Sequence, residues 1–215
     1  MVASEALLGA LAAGARRRRR TLVSFTAEVG LADPCAAVFA SRLADNRWFC
    51  WEQPDRGFAL AGLGTVHAAT SRGAGRFGEI AEECLRAGRD AVIEKPPGLP
   101  PGAGPVWLGG FAFEPEGGAT STWSSLAPAS MFLPELSLCR LDGRTFLTLN
   151  AIVAPGEDAG ERAAALAARA EGLRDRPLPL IDPHPTEPAT IRSARPPAEF
   201  EAAVAAATER IEAGR

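Results

Sequence analysis

At 215 residues, with 47% hydrophobic and 23% charged side chains, the chain has the length and balance of a soluble globular protein with one sizeable domain, or one domain and the start of another. A formal net charge of −3 argues against a general nucleic-acid-binding surface, and no apolar run approaches the ~20 residues of a membrane span. Apolar residues precede the arginines at the N-terminus, the reverse of a secretory signal. Lysine occurs once, at Lys95, and tyrosine not at all, a bias that reflects high-GC coding and carries no functional weight.

In chain order, Ala3 to Ala15 is rich in Ala and Leu and predicts a helix ending near Gly14 and the arginine run Arg16 to Arg20. That run is either an anionic-surface patch or a solvated helix C-terminus, where cations suit the dipole; a single run in an acidic chain favours the second. Thr21 to Val29 alternates apolar and polar residues as a half-buried strand does. Asp33-Pro34 is a helix start, an N-cap acceptor followed by proline, and the helix is expected to run to about Ala44. Arg47 to Glu52 and Gly57 to Thr65 form two strands across the turn Pro54-Asp55-Arg56-Gly57. Trp48, Phe49 and Trp51 on this hairpin could stack on a ligand, but aromatics at strand positions are more often core.

Gly62 and Gly64 carry only a weak nucleotide-loop signal, with no GxGxxG or GxxxxGK[ST] around them, and His67 on the same strand reads as a structural histidine. Phe77 to Val92 has the spacing of an amphipathic helix packed on a sheet. Lys95 to Pro105 is a Pro/Gly-rich loop, and Lys95 has no neighbours that would poise it as a base. Cys35, Cys50, Cys84 and Cys139 lie far apart without a CxxC pair, so a zinc site is not expected and free thiols in a reducing cytoplasm are.

Gly104 to Asn150 organises the chain as a strand, a polar loop and a hairpin. Val106, Leu108, Phe111 and Phe113 predict a buried strand, with Gly109 and Gly110 marking a bulge or a close backbone approach. Glu114 and Glu116 could in principle hold a cation or divide acid and base roles, but Pro115 and Gly117-Gly118 give them no rigid scaffold. Leu136 to Leu141 and Thr145 to Leu149 pair as inner strands across Asp142-Gly143, whose residues tolerate the positive φ of a tight turn. Glu157 to Arg174 is an Ala-rich helix, and Arg176 to Pro188 a proline-rich linker holding His184. Phe200, Val204, Ala207 and Ile211 define one face of a last helix that ends near Gly214.

WLGGFAFEPEGG, a following Trp and ASMFLPELSLCR resemble the N-terminal half of isochorismate synthases, members of the chorismate-utilising enzyme family; WFCWEQPDRGFALAGLG upstream resembles the same family's earlier strand pair. The resemblance covers roughly Arg20 to Arg215 and does not include the family's catalytic signature. PAEFEAAVAAATERIEAGR is similar to the first helix of the chorismate-binding region, which the family follows with a strand reading KVVLAR. The expected fold is α+β, an antiparallel sheet packed with helices. Residues 1–180 form the N-terminal region, 181–195 a linker, and 196–215 the first helix of a truncated catalytic region.

What the resemblance implies is Mg²⁺-dependent conversion of chorismate to isochorismate, an isomerase reaction needing a base for water, an acid for the leaving hydroxyl and a cation for the substrate carboxylate. In the family these are the lysine of KVVLAR and later glutamates, so no catalytic, cofactor or metal residue carries over onto this chain, and the Mg²⁺ ligands would lie beyond Arg215. The expectation is therefore a cytoplasmic, inactive fragment of an isochorismate synthase of menaquinone or siderophore biosynthesis, with chorismate as the whole enzyme's substrate and neither nucleic acid nor membrane as partner. A salicylate, anthranilate or aminodeoxychorismate synthase fragment, and a non-catalytic binding or scaffolding domain, are the alternatives.

Overall fold

The computed structural model describes residues 5–31, 33–118, 121–174, 176, 190 and 192–214. Two compact units divide the chain, Met1–Leu178 and Pro179–Arg215. The first contains helices α1 (Glu5–Ala15), α2 (Pro34–Ser41), α3 (Arg76–Gly88) and α4 (Ala159–Glu171). Its strands are β1 (Thr21–Val29), β2 (Trp48–Gln53), β3 (Phe58–Leu63), β4 (His67–Ser71), β5 (Val92–Glu94), β6 (Leu108–Phe111), β7 (Ala129–Leu133), β8 (Leu136–Leu141) and β9 (Arg144–Val153). The second unit holds α5 (Pro197–Glu212), none of whose residues is buried.

The architecture is α+β, built on two sheets rather than one. Six strands in the order β2-β3-β8-β9-β1-β5 make the larger sheet, and β4-β7-β6 the smaller. Among the described residues every pairing is antiparallel except that of β1 with the short β5. The two-residue period of a strand fixes which side chains share a face. Val23 lies opposite Ala151, Phe25 opposite Leu149, and Leu138 between Leu147 and Ala61, so these apolar residues line one side of the large sheet. Leu7 and Leu11 of α1, Val38 of α2 and Leu166 of α4 close over that side as the main core.

The other side is buried too, which corrects the expected half-buried alternation of β1. Leu22, Ser24 and Thr26 are all buried, because the proline-rich segment before β6 lies across them: the Gly104 N–H donates to Thr148 Oγ1 at 3.1 Å, and Thr148 Oγ1 shares a 3.0 Å hydrogen bond with Thr26 Oγ1. Ser24, Thr26, Ser137, Thr148 and Asn150 make this a polar layer in which each residue is 2% exposed or less. Asn150 Nδ2 donates to the Pro134 carbonyl at 2.9 Å.

Local chemistry explains the turns and caps. Asp33 caps α2 by accepting from Ala36 N at 2.9 Å, although the helix stops at Ser41, short of the expected Ala44. Asp142 and Gly143 take φ of 50° and 76° in the β8–β9 turn, and a 3₁₀ turn over Pro54–Arg56 ends at Gly57 with φ 59°. Four expectations fail at sheet edges. Trp48 and Trp51 are exposed rather than core, because β2 borders only β3. The strand expected to be buried over Val106 to Phe113 shrinks to the edge strand β6, with Leu108 alone of its residues buried. His67 belongs to β4 in the second sheet, not to the strand of Gly62 and Gly64. The helix expected over Phe77 to Val92 ends at Gly88, and Val92 begins β5 instead.

Candidate functional site

An aromatic groove of about 880 Å³ opens in the first unit between β2, β6, β7 and the loop after β6. Trp48, Phe111, Phe113, Trp123, Leu126 and Phe132 form its apolar walls. Close strand contact shapes it: a Cβ on Gly109 would stand 2.0 Å from the Ser130 carbonyl oxygen, so only glycine lets β6 approach β7 here. Phe111 then stacks on Phe77 of α3 with ring centroids 4.7 Å apart.

Arg76, which sequence reasoning did not single out, anchors the loop that leaves β6. Its guanidinium is buried and donates to the carbonyl oxygens of Gly73 at 3.1 Å, Ala112 at 3.0 Å and Phe113 at 3.2 Å, while lying over the Phe77 ring. A charged fork donating to carbonyls is a strong positional constraint. No local signal could have revealed it, since Ala112 and Phe113 are 36 and 37 residues away.

The remaining sequence-predicted residues take structural roles or stand apart. His67 Nε2 meets Glu83 Oε1 at 2.7 Å, and its ring lies edge-on to Trp107. Gly62 gives Leu108 room, for a Cβ would come within 2.5 Å of the Leu108 Cδ1, and Gly64 ends the strand at φ 75°. Arg16 to Arg20 are exposed. Arg19 pairs with Asp90, and Arg19 and Arg20 border a second groove of about 460 Å³ together with Arg86 and Arg89. Lys95, Glu114 and Glu116 lie at the surface, while His184 lies outside the described residues. Among the described residues no group of three or more His, Cys, Asp or Glu side chains could hold a metal ion. Of the described residues lining the aromatic groove, Glu114 is the sole carboxylate and no histidine or cysteine joins it, so the groove can bind and exclude water but offers no acid–base pair.

The described residues thus form an α+β unit that carries an aromatic groove on its surface. The chain belongs to the chorismate-binding enzyme family: the model described as "Chorismate binding enzyme" matches residues 7–215. It is similar to the isochorismate synthase MenF of Bacillus subtilis, 30% identical over 144 residues that make up 64% of this chain and 30% of that protein. It is likewise similar to the salicylate biosynthesis isochorismate synthase of Pseudomonas aeruginosa, 30% identical over 141 residues, 66% of this chain and 28% of that one. The solved structure of MenF, the menaquinone-specific isochorismate synthase from Escherichia coli, aligns with a TM-score of 0.45 and 19% identity over 81% of this chain and 36% of its own. The chain thus spans about three tenths of the length of the curated relatives it matches.

Proposed function

We propose that this chain is the scaffold-forming N-terminal portion of a cytoplasmic isochorismate synthase that takes chorismate as substrate. The observation that carries the reading is the pairing of two facts: both curated relatives are isochorismate synthases at 30% identity, and the chain corresponds to 30% and 28% of their lengths. Exchange of a ring hydroxyl by addition of water requires a base and an acid held on either side of the ring. The chain's own chemistry fits a supporting part. Its one lysine is exposed in a loop, its one described histidine is held by Glu83 and Trp107, and its groove presents apolar walls. The Mg²⁺ such a reaction uses does not fit the described residues, which contain no donor cluster for it. Under this reading the metal ligands and reacting groups are supplied elsewhere in the whole enzyme.

Reading the coding DNA past Arg215 and assaying both products tests this. The 215-residue chain should leave chorismate unchanged, and the longer product should form isochorismate. Turnover by the 215-residue chain, or a stop codon directly after Arg215, would overturn the reading in favour of a different catalytic centre or a non-catalytic module.

A further inference from the structure

The fold brings two of the four cysteines together. Cys35 lies in the first turn of α2, and Cys50 on β2 lies opposite Ala61, on the side of the large sheet that the helices cover. The Cys50 thiol is 3.6 Å from the Cys35 carbonyl oxygen and can donate to it, while the Cys35 thiol reaches back to β2 and β3, 3.9 Å from the carbonyl oxygen of Trp51, the residue after Cys50, and 4.0 Å from that of Leu60. Cys35 is 6% exposed and Cys50 half-buried, so the pair has an open member and a sheltered one. Neither other cysteine shares this setting: Cys84 is on α3, and Cys139 faces the opposite side of the sheet, donating to the Pro101 carbonyl at 3.5 Å.

We propose that Cys35 and Cys50 are a reversible oxidation site, Cys50 reacting first with a peroxide and Cys35 closing a disulfide between α2 and β2. Cys50 sulfur attacks one peroxide oxygen, the O–O bond breaks, and the sulfenic acid forms as hydroxide leaves and takes up a proton. The Cys35 sulfur then attacks the Cys50 sulfur, the S–O bond breaks, and the Cys35 proton leaves with the hydroxyl as a second water. Two thiols lose two electrons and two protons, and one peroxide becomes two waters. The electrostatics favour that order of roles. The hydrogen bond from Cys35 draws the Cys50 thiol below its ordinary value, with Arg42 assisting, and outweighs burial and the carboxylates of Glu52 and Asp33. That same bond, with burial, pushes Cys35 up; burial raises Cys84, and holds Cys139 at about 11. Since β2 carries Trp48, the cross-link would tie one wall of the aromatic groove to the helical layer.

The test uses the intact 215-residue chain and hydrogen peroxide. Under native conditions iodoacetamide should label Cys50 about tenfold faster than Cys139. Limiting peroxide should remove two hydrogens from the intact mass and lower the thiol count of the unfolded chain from four to two, with a Cys35–Cys50 peptide in the digest and full reversal by dithiothreitol. Cys35→Ser should stop at a sulfenic acid trappable by dimedone on Cys50. A Cys84→Ser/Cys139→Ser variant should still form the disulfide, which keeps the result independent of those sites. Labelling of all four at one rate, or oxidation of Cys50 to sulfinic acid with Cys35 still a thiol in the unsubstituted chain, would overturn the proposal.

Discussion

A Cβ built on Gly109 would meet the Ser130 carbonyl oxygen at 2.0 Å and Met131 Cα at 2.9 Å, both backbone atoms that no side-chain rotation can move aside. Gly110, one residue on and facing away, has nothing within 4 Å of the same position. Gly109→Ala should therefore cost about 3 kcal/mol through overpacking and backbone displacement, while Gly110→Ala should stay within about 0.5 kcal/mol of the parent. Chemical denaturation of the two variants checks the contrast, and equal losses would mean that β6 and β7 do not meet this closely. This close approach was legible in the sequence, because a glycine pair inside an apolar strand gives up packing area that only a bulge or a tight backbone contact makes worthwhile. Arg76 and the Cys35–Cys50 contact were not. Each depends on which distant backbone folds over the residue, and nothing in the neighbouring letters encodes that.

Elements whose turns rest on neighbouring residues were the legible ones. Asp142-Gly143 and Pro54 to Gly57 fixed two hairpins, and Asp33 fixed the start of α2, since their chemistry acts within four residues. Sheet membership was not legible. ASMFL forms β7, the centre of the second sheet, yet its partners Ser71 and Phe111 lie far back along the chain. At the open end of the long β1–β9 ladder, Arg144 holds Glu28 through two hydrogen bonds of 3.0 and 2.7 Å. The Arg144 bond lowers the Glu28 carboxyl from its ordinary 4.5. A carboxyl depressed in the folded state stabilises it fully above its unfolded value and loses that contribution as pH falls through the folded one. Glu28→Gln should therefore change the melting temperature most at neutral pH and converge with the parent in acid, measured between about pH 3 and pH 7. Exposure of the pair keeps the effect small, and a difference that grows in acid would contradict the assigned bond.

Across the whole molecule, apolar surface is distributed unevenly, and that unevenness bears on the scaffold reading. The large sheet hides both faces of its central strands, one under three helices and the other beneath the Gly104 segment, so the first unit has a core of its own. In α5, by contrast, Phe200 is 73%, Val204 48% and Ile211 76% exposed, and no residue of the helix is buried. A helix of 16 residues that buries no apolar face and has no side-chain N-cap rests on propensity alone, which is marginal in water. A synthetic peptide of residues 196–215 should accordingly be only weakly helical in water by circular dichroism and gain helicity in trifluoroethanol, which gives the Phe200, Val204 and Ile211 stripe a less aqueous surround. A strongly helical peptide in water would show that α5 holds its form by its own sequence, and the exposed stripe would then not be needed to stabilise it.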